Sequence, residues 1–121
     1  VDQPADCNFI VPSVLSRGDL LIAVSTSGKS PAFARKVRVE LERRFGEEYG
    51  LFLNLMGNLR KEILSLGLPQ ERNKTVFEQL VHSDLLAAIR EKNWDLTSQI
   101  IGGILGRPVS KNRILDFLKA E

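Results

Sequence analysis

"AVSTSGKSPAFARK", residues 23–36, decides how this chain is read. An apolar run gives way to Ser25-Thr26-Ser27-Gly28, then Lys29, then Ser30-Pro31, after which the period becomes helical. Strand, small-residue turn and helix start in that order can make an anion site, because helix-start amides and hydroxyls converge there. On the residues alone three readings stand side by side. The turn holds a nucleotide phosphate, or a sugar phosphate, or it is a plain strand-to-helix turn in which Ser and Gly serve capping and positive φ.

The nucleotide reading is the weakest. Gly28-Lys29-Ser30 matches the end of G-x-x-x-x-G-K-[ST], but the position of the first glycine is Ala23. That glycine lets backbone amides wrap a phosphate without a Cβ in the way. Pro31 also removes an amide beside the cradle, and no Asp-terminated second strand follows to hold magnesium. A sugar isomerase-like turn needs several parallel strands alternating with helices. It is kept as the alternative: a non-catalytic phosphosugar-binding regulatory module built on the STSG turn. A helical interaction domain with no small ligand is the blander possibility.

Working outward, Phe9–Leu15 and Leu20–Thr26 are apolar and β-branched. Ser16-Arg17-Gly18-Asp19 between them signals a turn, so the pair reads as an antiparallel hairpin. Pro12 places the first strand at an edge or bulge. Alternation puts Ile22, Val24 and Thr26 on one face and Leu21, Ala23 and Ser25 on the other. After Ser30 as N-cap and Pro31 as first helical residue, Phe33, Val37 and Leu41 recur at i+4, with Ala34 and Phe45 extending the stripe. Gly46 stops this helix.

A second helix is expected from about Glu47 to Ser65 on Phe52, Leu55, Met56, Leu59 and Ile63, closed by Gly67 and Pro69. Shorter helices follow. One carries Val76, Phe77, Leu80 and Val81; Ser83 or Asp84 caps the next, with Leu85, Leu86 and Ile89. Asp95 is expected to cap a helix through Ile100, Ile101, Ile104 and Leu105, and Ser110 one carrying Ile114, Leu115 and Leu118. The fold class is therefore α+β, a short N-terminal β-hairpin followed by a mostly α-helical lobe of five or six helices in total.

Composition sets the outer limits. With 121 residues there is room for one compact domain or two small lobes. Seventeen basic against fifteen acidic side chains leave +2, too small an excess to indicate nucleic acid. No apolar run approaches the roughly 20 residues that span a bilayer, so no membrane partner is expected. One cysteine, Cys7, forms no internal disulfide, which points to a reducing, cytoplasmic setting. His82 is the only histidine, so neither a His-rich site nor a zinc site is expected, and no metal ligands are assigned. The chain lacks a signal-peptide h-region and does not begin with Met, and we read it as a piece of a longer protein.

Taken together, "VDQPADCNFIVPSVLSRGDLLIAVSTSGKSPAFARKVRVELE", residues 1–42, resembles the siroheme synthase dehydrogenase/ferrochelatase family, also called precorrin-2 dehydrogenase. The matching features are an Asp near the start, Cys-Asn-Phe-Ile-x-Pro-Ser, the Leu-Leu-Ile-Ala-Val-Ser strand, Ser-Gly-x-Ser-Pro, Ala-Arg and the amphipathic helix ending near Phe45-Gly46. "EYGLFLNLMGNLRKEI" continues the likeness more loosely.

The resemblance implies three segments. Residues 1–11 would be the end of a truncated NAD-binding Rossmann domain, 12–46 a dimerisation segment, and 47–121 a helical domain covering a tetrapyrrole. It implies an NAD-dependent dehydrogenase that takes precorrin-2 to sirohydrochlorin, working as a homodimer, with ferrous iron as a further substrate where members also insert it. The glycine-rich dinucleotide fingerprint is missing from this chain, so by itself it is expected to be inactive. The family's catalytic acid falls on Asp2, where a carboxylate can take a proton as hydride leaves. Its Ser-rich turn falls on Ser25, Thr26, Ser27 and Gly28, with Lys29 and Arg35 as cationic partners for substrate carboxylates. Some members are phosphorylated at this turn, with Thr26 at the matching place.

Overall fold

The structure, a computed structural model, describes residues 11–120. Asp2, Cys7 and the start of the expected first strand (Phe9, Ile10) lie outside the described residues. The chain divides into two compact units, 1–46 and 47–121.

In the first unit β1 (Ser13–Arg17) and β2 (Leu20–Val24) pair antiparallel and α1 (Pro31–Arg44) follows. The register runs from Ser13 opposite Val24 to Arg17 opposite Leu20. The connecting loop is thus only Gly18-Asp19, two residues shorter at its start than the turn expected from sequence. Gly18 has φ +59°, which a two-residue loop requires at its first position if the strands are to keep their twist. Pro12, lacking a donor, sits just before the ladder begins.

Both strands pack against α1. Leu15, 1% exposed, is the buried centre of the inner face, while Val14 and Leu21 on the outer face remain 45% and 65% exposed. From α1, Ala34 is buried and Val37 and Leu41 are half-buried. Phe33 does not join this stripe: it is 55% exposed, a correction to the expected helix face. It lies one residue, about 100°, before Ala34, which takes the core position.

What ties helix to hairpin is Arg17. Its Nε donates to Phe45 O at 2.6 Å and its Nη2 to Glu42 O at 3.1 Å, so a guanidinium closes the carbonyl end of α1. At the middle of the helix, Arg38 Nε donates to Ser13 Oγ at 2.7 Å and Nη1 pairs with Glu42 Oε2 at 2.7 Å.

The second unit is α2 (Glu48–Ser65), α3 (Gln70–Val81), α4 (Leu85–Arg90), α5 (Trp94–Leu105) and α6 (Lys111–Phe117). The i, i+3, i+4 spacing of Phe52, Leu55, Leu59 and Ile63 puts one stripe of α2 into the core. There it meets Val76 and Leu80 of α3, Leu85 and Ile89 of α4, Ile101 of α5 and Ile114 of α6. Val81 and Leu115, expected on core faces, are 51% and 41% exposed. On α2, Asn54 and Asn58 donate to Leu118 O and Phe117 O, each at 2.9 Å, and so clamp the carbonyl end of α6.

Side chains cap α1, α5 and α6 through Ser30, Asn93 and Ser110, with one correction to the expected caps. Asn93, not Asp95, caps α5, its Oδ1 accepting from Leu96 N at 3.1 Å. Asp95 stands in the first turn and pairs with Lys111 at 3.0 Å. Asp84 occupies the cap position of α4 but makes no side-chain cap bond; Ser83 Oγ instead accepts from Leu85 N at 3.3 Å. Arg90 at the end of α4 reaches Glu48 at 2.8 Å, and that bond raises the guanidinium's pKa above its ordinary value. Lys92 takes φ +56°, where glycine is the usual residue.

Candidate anion-binding turn

Strand β2 stops at Val24, two residues short of the expected end, because Thr26 folds back into the turn. Lys29 N donates to Thr26 O at 3.1 Å, closing a four-residue turn. Its central residues Ser27 and Gly28 have φ +57° and +77°. Positive φ at both positions is the demand of a type I′ turn, and glycine meets it without strain. A Cβ placed on Gly28 would have nothing within 4 Å, so the space in front of it is open.

The side chains then consume most of the turn's donors. Thr26 Oγ1 accepts from Ser30 N at 3.1 Å and donates to Ser30 O at 3.0 Å. Ser30 Oγ accepts from Phe33 N at 3.2 Å, the N-cap expected from sequence, and Ser25 Oγ accepts from Ser27 N at 3.2 Å. Pro31 has no N–H. Among the described residues, this leaves the Gly28 and Ala32 amides as the unengaged donors between Ser27 and Phe33. Beside them are the Ser27 and Lys29 side chains, exposed to solvent.

The structure thus gathers Ser25, Thr26, Ser27, Gly28 and Lys29 into one small loop at the start of α1, with Arg35 exposed further along that helix. Thr26 differs from its neighbours: its hydroxyl is half-buried and bonded in both directions, so it is a staple of the turn. The other cations seen in the sequence are partly committed elsewhere. Arg38 is held by Ser13 and Glu42, Arg44 lies 5.8 Å from the Phe45 ring centre, and Arg60 lies 5.1 Å from that of Phe77. Arg17 was missed by the sequence reading. Nothing in its spacing marks a strand-end arginine as a helix cap 25 residues away.

The described residues do not fit a dinucleotide. They hold two antiparallel strands, and no G-x-G-x-x-G turn lies between a strand and a helix. Nor, among them, does any group of three His, Cys, Asp or Glu come together that could hold a metal ion. The phosphosugar reading called for four or more parallel strands; the described residues give one antiparallel hairpin, which does not favour it.

A hairpin and capped helix followed by a five-helix unit is an architecture also found in a solved dehydrogenase. The structure of SirC, precorrin-2 dehydrogenase, superposes with a TM-score of 0.66 at 20% identity, covering 82% of this chain and 47% of that one. Residues 17–44, from Arg17 through the turn to the end of α1, match the family model described as sirohaem biosynthesis protein central. A siroheme synthase of Vesicomyosocius okutanii is 33% identical over 106 residues, 83% of this chain. Siroheme synthase 2 of Yersinia pseudotuberculosis is 36% identical over 87 residues, 72% of this chain. The chain belongs to the siroheme synthase/precorrin-2 dehydrogenase family, as a segment spanning 22% and 18% of the length of those two relatives.

Proposed function

We propose that this chain is the dimer-forming and helical part of an enzyme of siroheme biosynthesis, an NAD-dependent precorrin-2 dehydrogenase yielding sirohydrochlorin. Sirohydrochlorin ferrochelatase activity, with ferrous iron as substrate, is part of the same reading. The observation that carries it is the family match over residues 17–44, because those residues build the turn and its supporting helix. NAD would be held by a part of the protein outside the described residues, to which residues 1–11 would connect.

In this reading 12–46 forms a homodimer. Support comes from Val14 and Leu21, which leave the outer face of the hairpin apolar and uncovered, with Phe33 likewise exposed on α1. The turn binds a carboxylate of the tetrapyrrole through the Gly28 and Ala32 amides, the Ser25 and Ser27 hydroxyls, and Lys29, with Arg35 as a second cation. Thr26 keeps that geometry. Residues 47–121 cover the substrate, and Asp2 is the acid–base group. The single cysteine is consistent with work in the cytoplasm.

The test is titration of sirohydrochlorin into the protein, with the NAD-binding portion supplied, followed by its absorbance. A saturable change weakened several-fold by Lys29→Ala is expected. Absence of any change would count against tetrapyrrole binding. Sedimentation checks the dimer separately: a strict monomer at tens of micromolar contradicts it.

A further inference from the structure

The outer side of α1 is a stripe of one charge sign. Ala32, Lys36, Val39 and Arg43 follow the i, i+4, i+7, i+11 spacing and so share one side of the helix. It lies opposite the side that carries Ala34 and Leu41 against the strands. Arg35 borders the stripe, three residues after Ala32, and Lys29 precedes it. All four cations are exposed, and among the described residues their side chains make no hydrogen bond or ion pair. α1 holds two acids. Glu42 is taken by Arg38, and Glu40, at i+4 from Lys36 and i−3 from Arg43, pairs with neither. The helical unit shows no such excess: residues 47–121 hold ten basic and ten acidic side chains.

Unpaired like charges along one helix side repel one another, and an incoming polyanion removes that cost. A second copy cannot cover this side with the same side of its own, because cations would meet cations. Helical side chains lean toward the N-terminus, so Lys36 is placed to reach back over Ala32 toward the turn. Arg43 is placed to reach over Val39, seven residues or about 10 Å further along. That separation is too great for one carboxylate to bridge, but suits acid groups on successive edges of one larger molecule. We propose that the stripe holds several carboxylates of one tetrapyrrole at once, and so selects tetrapyrroles by their number of acid groups. The first carboxylate would sit at the turn with Lys29, Arg35 and Lys36, and the next on Arg43. The ligand class rests on the function proposed above; Lys36 and Arg43 as specificity-determining residues come from the stripe itself.

Uroporphyrin, with two acid groups on every pyrrole ring, and coproporphyrin, with one, are the probes. Each is titrated into the full 121-residue chain in low-salt buffer and followed by porphyrin fluorescence and ¹⁵N-NMR. Uroporphyrin should bind saturably and at least about fivefold more tightly than coproporphyrin, with shifts at Lys36 and Arg43 as well as at Gly28 and Ala32. Lys36→Met and Arg43→Met change exposed positions and keep a good helix former. Each should weaken uroporphyrin about two- to fivefold and coproporphyrin less. Glu40→Gln should tighten uroporphyrin, and roughly 1 M salt, where the Debye length falls to about 3 Å, should abolish its binding. Shifts at Gly28 and Ala32 with the preference unchanged in both variants overturn the stripe and leave the turn standing. Shifts at Lys36 and Arg43 that omit Gly28 and Ala32 support the stripe and count against the turn. Equal binding of the two porphyrins, equal binding of an oligothymidylate of matching charge, or no shift along α1 overturns the proposal.

Discussion

The hairpin unit and the helical unit are held together by different forces. Among the described residues the first buries only two apolar side chains deeply, Leu15 and Ala34. Its helix is fastened to its strands by directional contacts, Arg17 on the α1 carbonyls and Arg38 on Ser13. The second places eleven buried apolar residues in one cluster drawn from all five of its helices. Hydrophobic burial scales with area and tolerates small shifts, whereas a guanidinium bond is lost when its geometry changes. The apolar side chains Val14 and Leu21 stay exposed on its outer strand face, where the proposed dimer would cover them. The helical unit has enough core to fold around itself.

This contrast can be broken from the apolar side first. Leu55→Ala, at a fully buried position, should destabilise the helical unit by about 2–5 kcal/mol in urea unfolding. A loss shared equally by reporters in the hairpin would contradict the separation of the two units. In the hairpin unit, Arg17→Met removes the helix tether and should cost about 1.5–3 kcal/mol, the range for hydrogen bonds to a charged group. Amide exchange at the α1 end, Glu42–Phe45, should accelerate most. Thr26→Val keeps the shape but leaves Ser30 N–H without its acceptor, a loss of about 1 kcal/mol visible as faster exchange at Ser30. The smallest effect has the opposite sign. Lys92→Gly relieves a positive φ at the end of α4 and should stabilise the helical unit by about 0.5–1 kcal/mol in thermal unfolding.

Much of the α+β fold could be read along the chain because its signals are local. Ser30-Pro31 start α1, the Phe52–Ile63 stripe defines α2, Gly106 at φ +77° closes α5, and Ser110 caps α6. Where reading failed, two local signals competed or the partner was distant. Asn93 outranked Asp95 as a cap, and Ala34 displaced Phe33 from the core, because neighbouring positions on a helix offer nearly the same sequence pattern. Arg17 and the Asn54–Asn58 clamp act across 25 to 64 positions, and no spacing rule encodes that.

The turn followed the same division. Its position and its N-cap were evident from Ser-Gly-Lys-Ser-Pro. That its threonine is spent on Ser30, leaving two amides free, became visible only once the chain was folded. The sequence pattern alone suggested an amide-rich cradle; the folded turn leaves a narrower set of donors, the Gly28 and Ala32 amides.

The most direct test of the central claim is a ¹⁵N-NMR titration of the chain with sirohydrochlorin, read at the amides of Gly28 and Ala32. The account predicts that these two move first and saturably, while Lys29, Ser30 and Phe33, whose amides are already bonded within the turn, move little. Movement confined to other residues, or unchanged Gly28 and Ala32 signals in a titration that otherwise saturates, would contradict it.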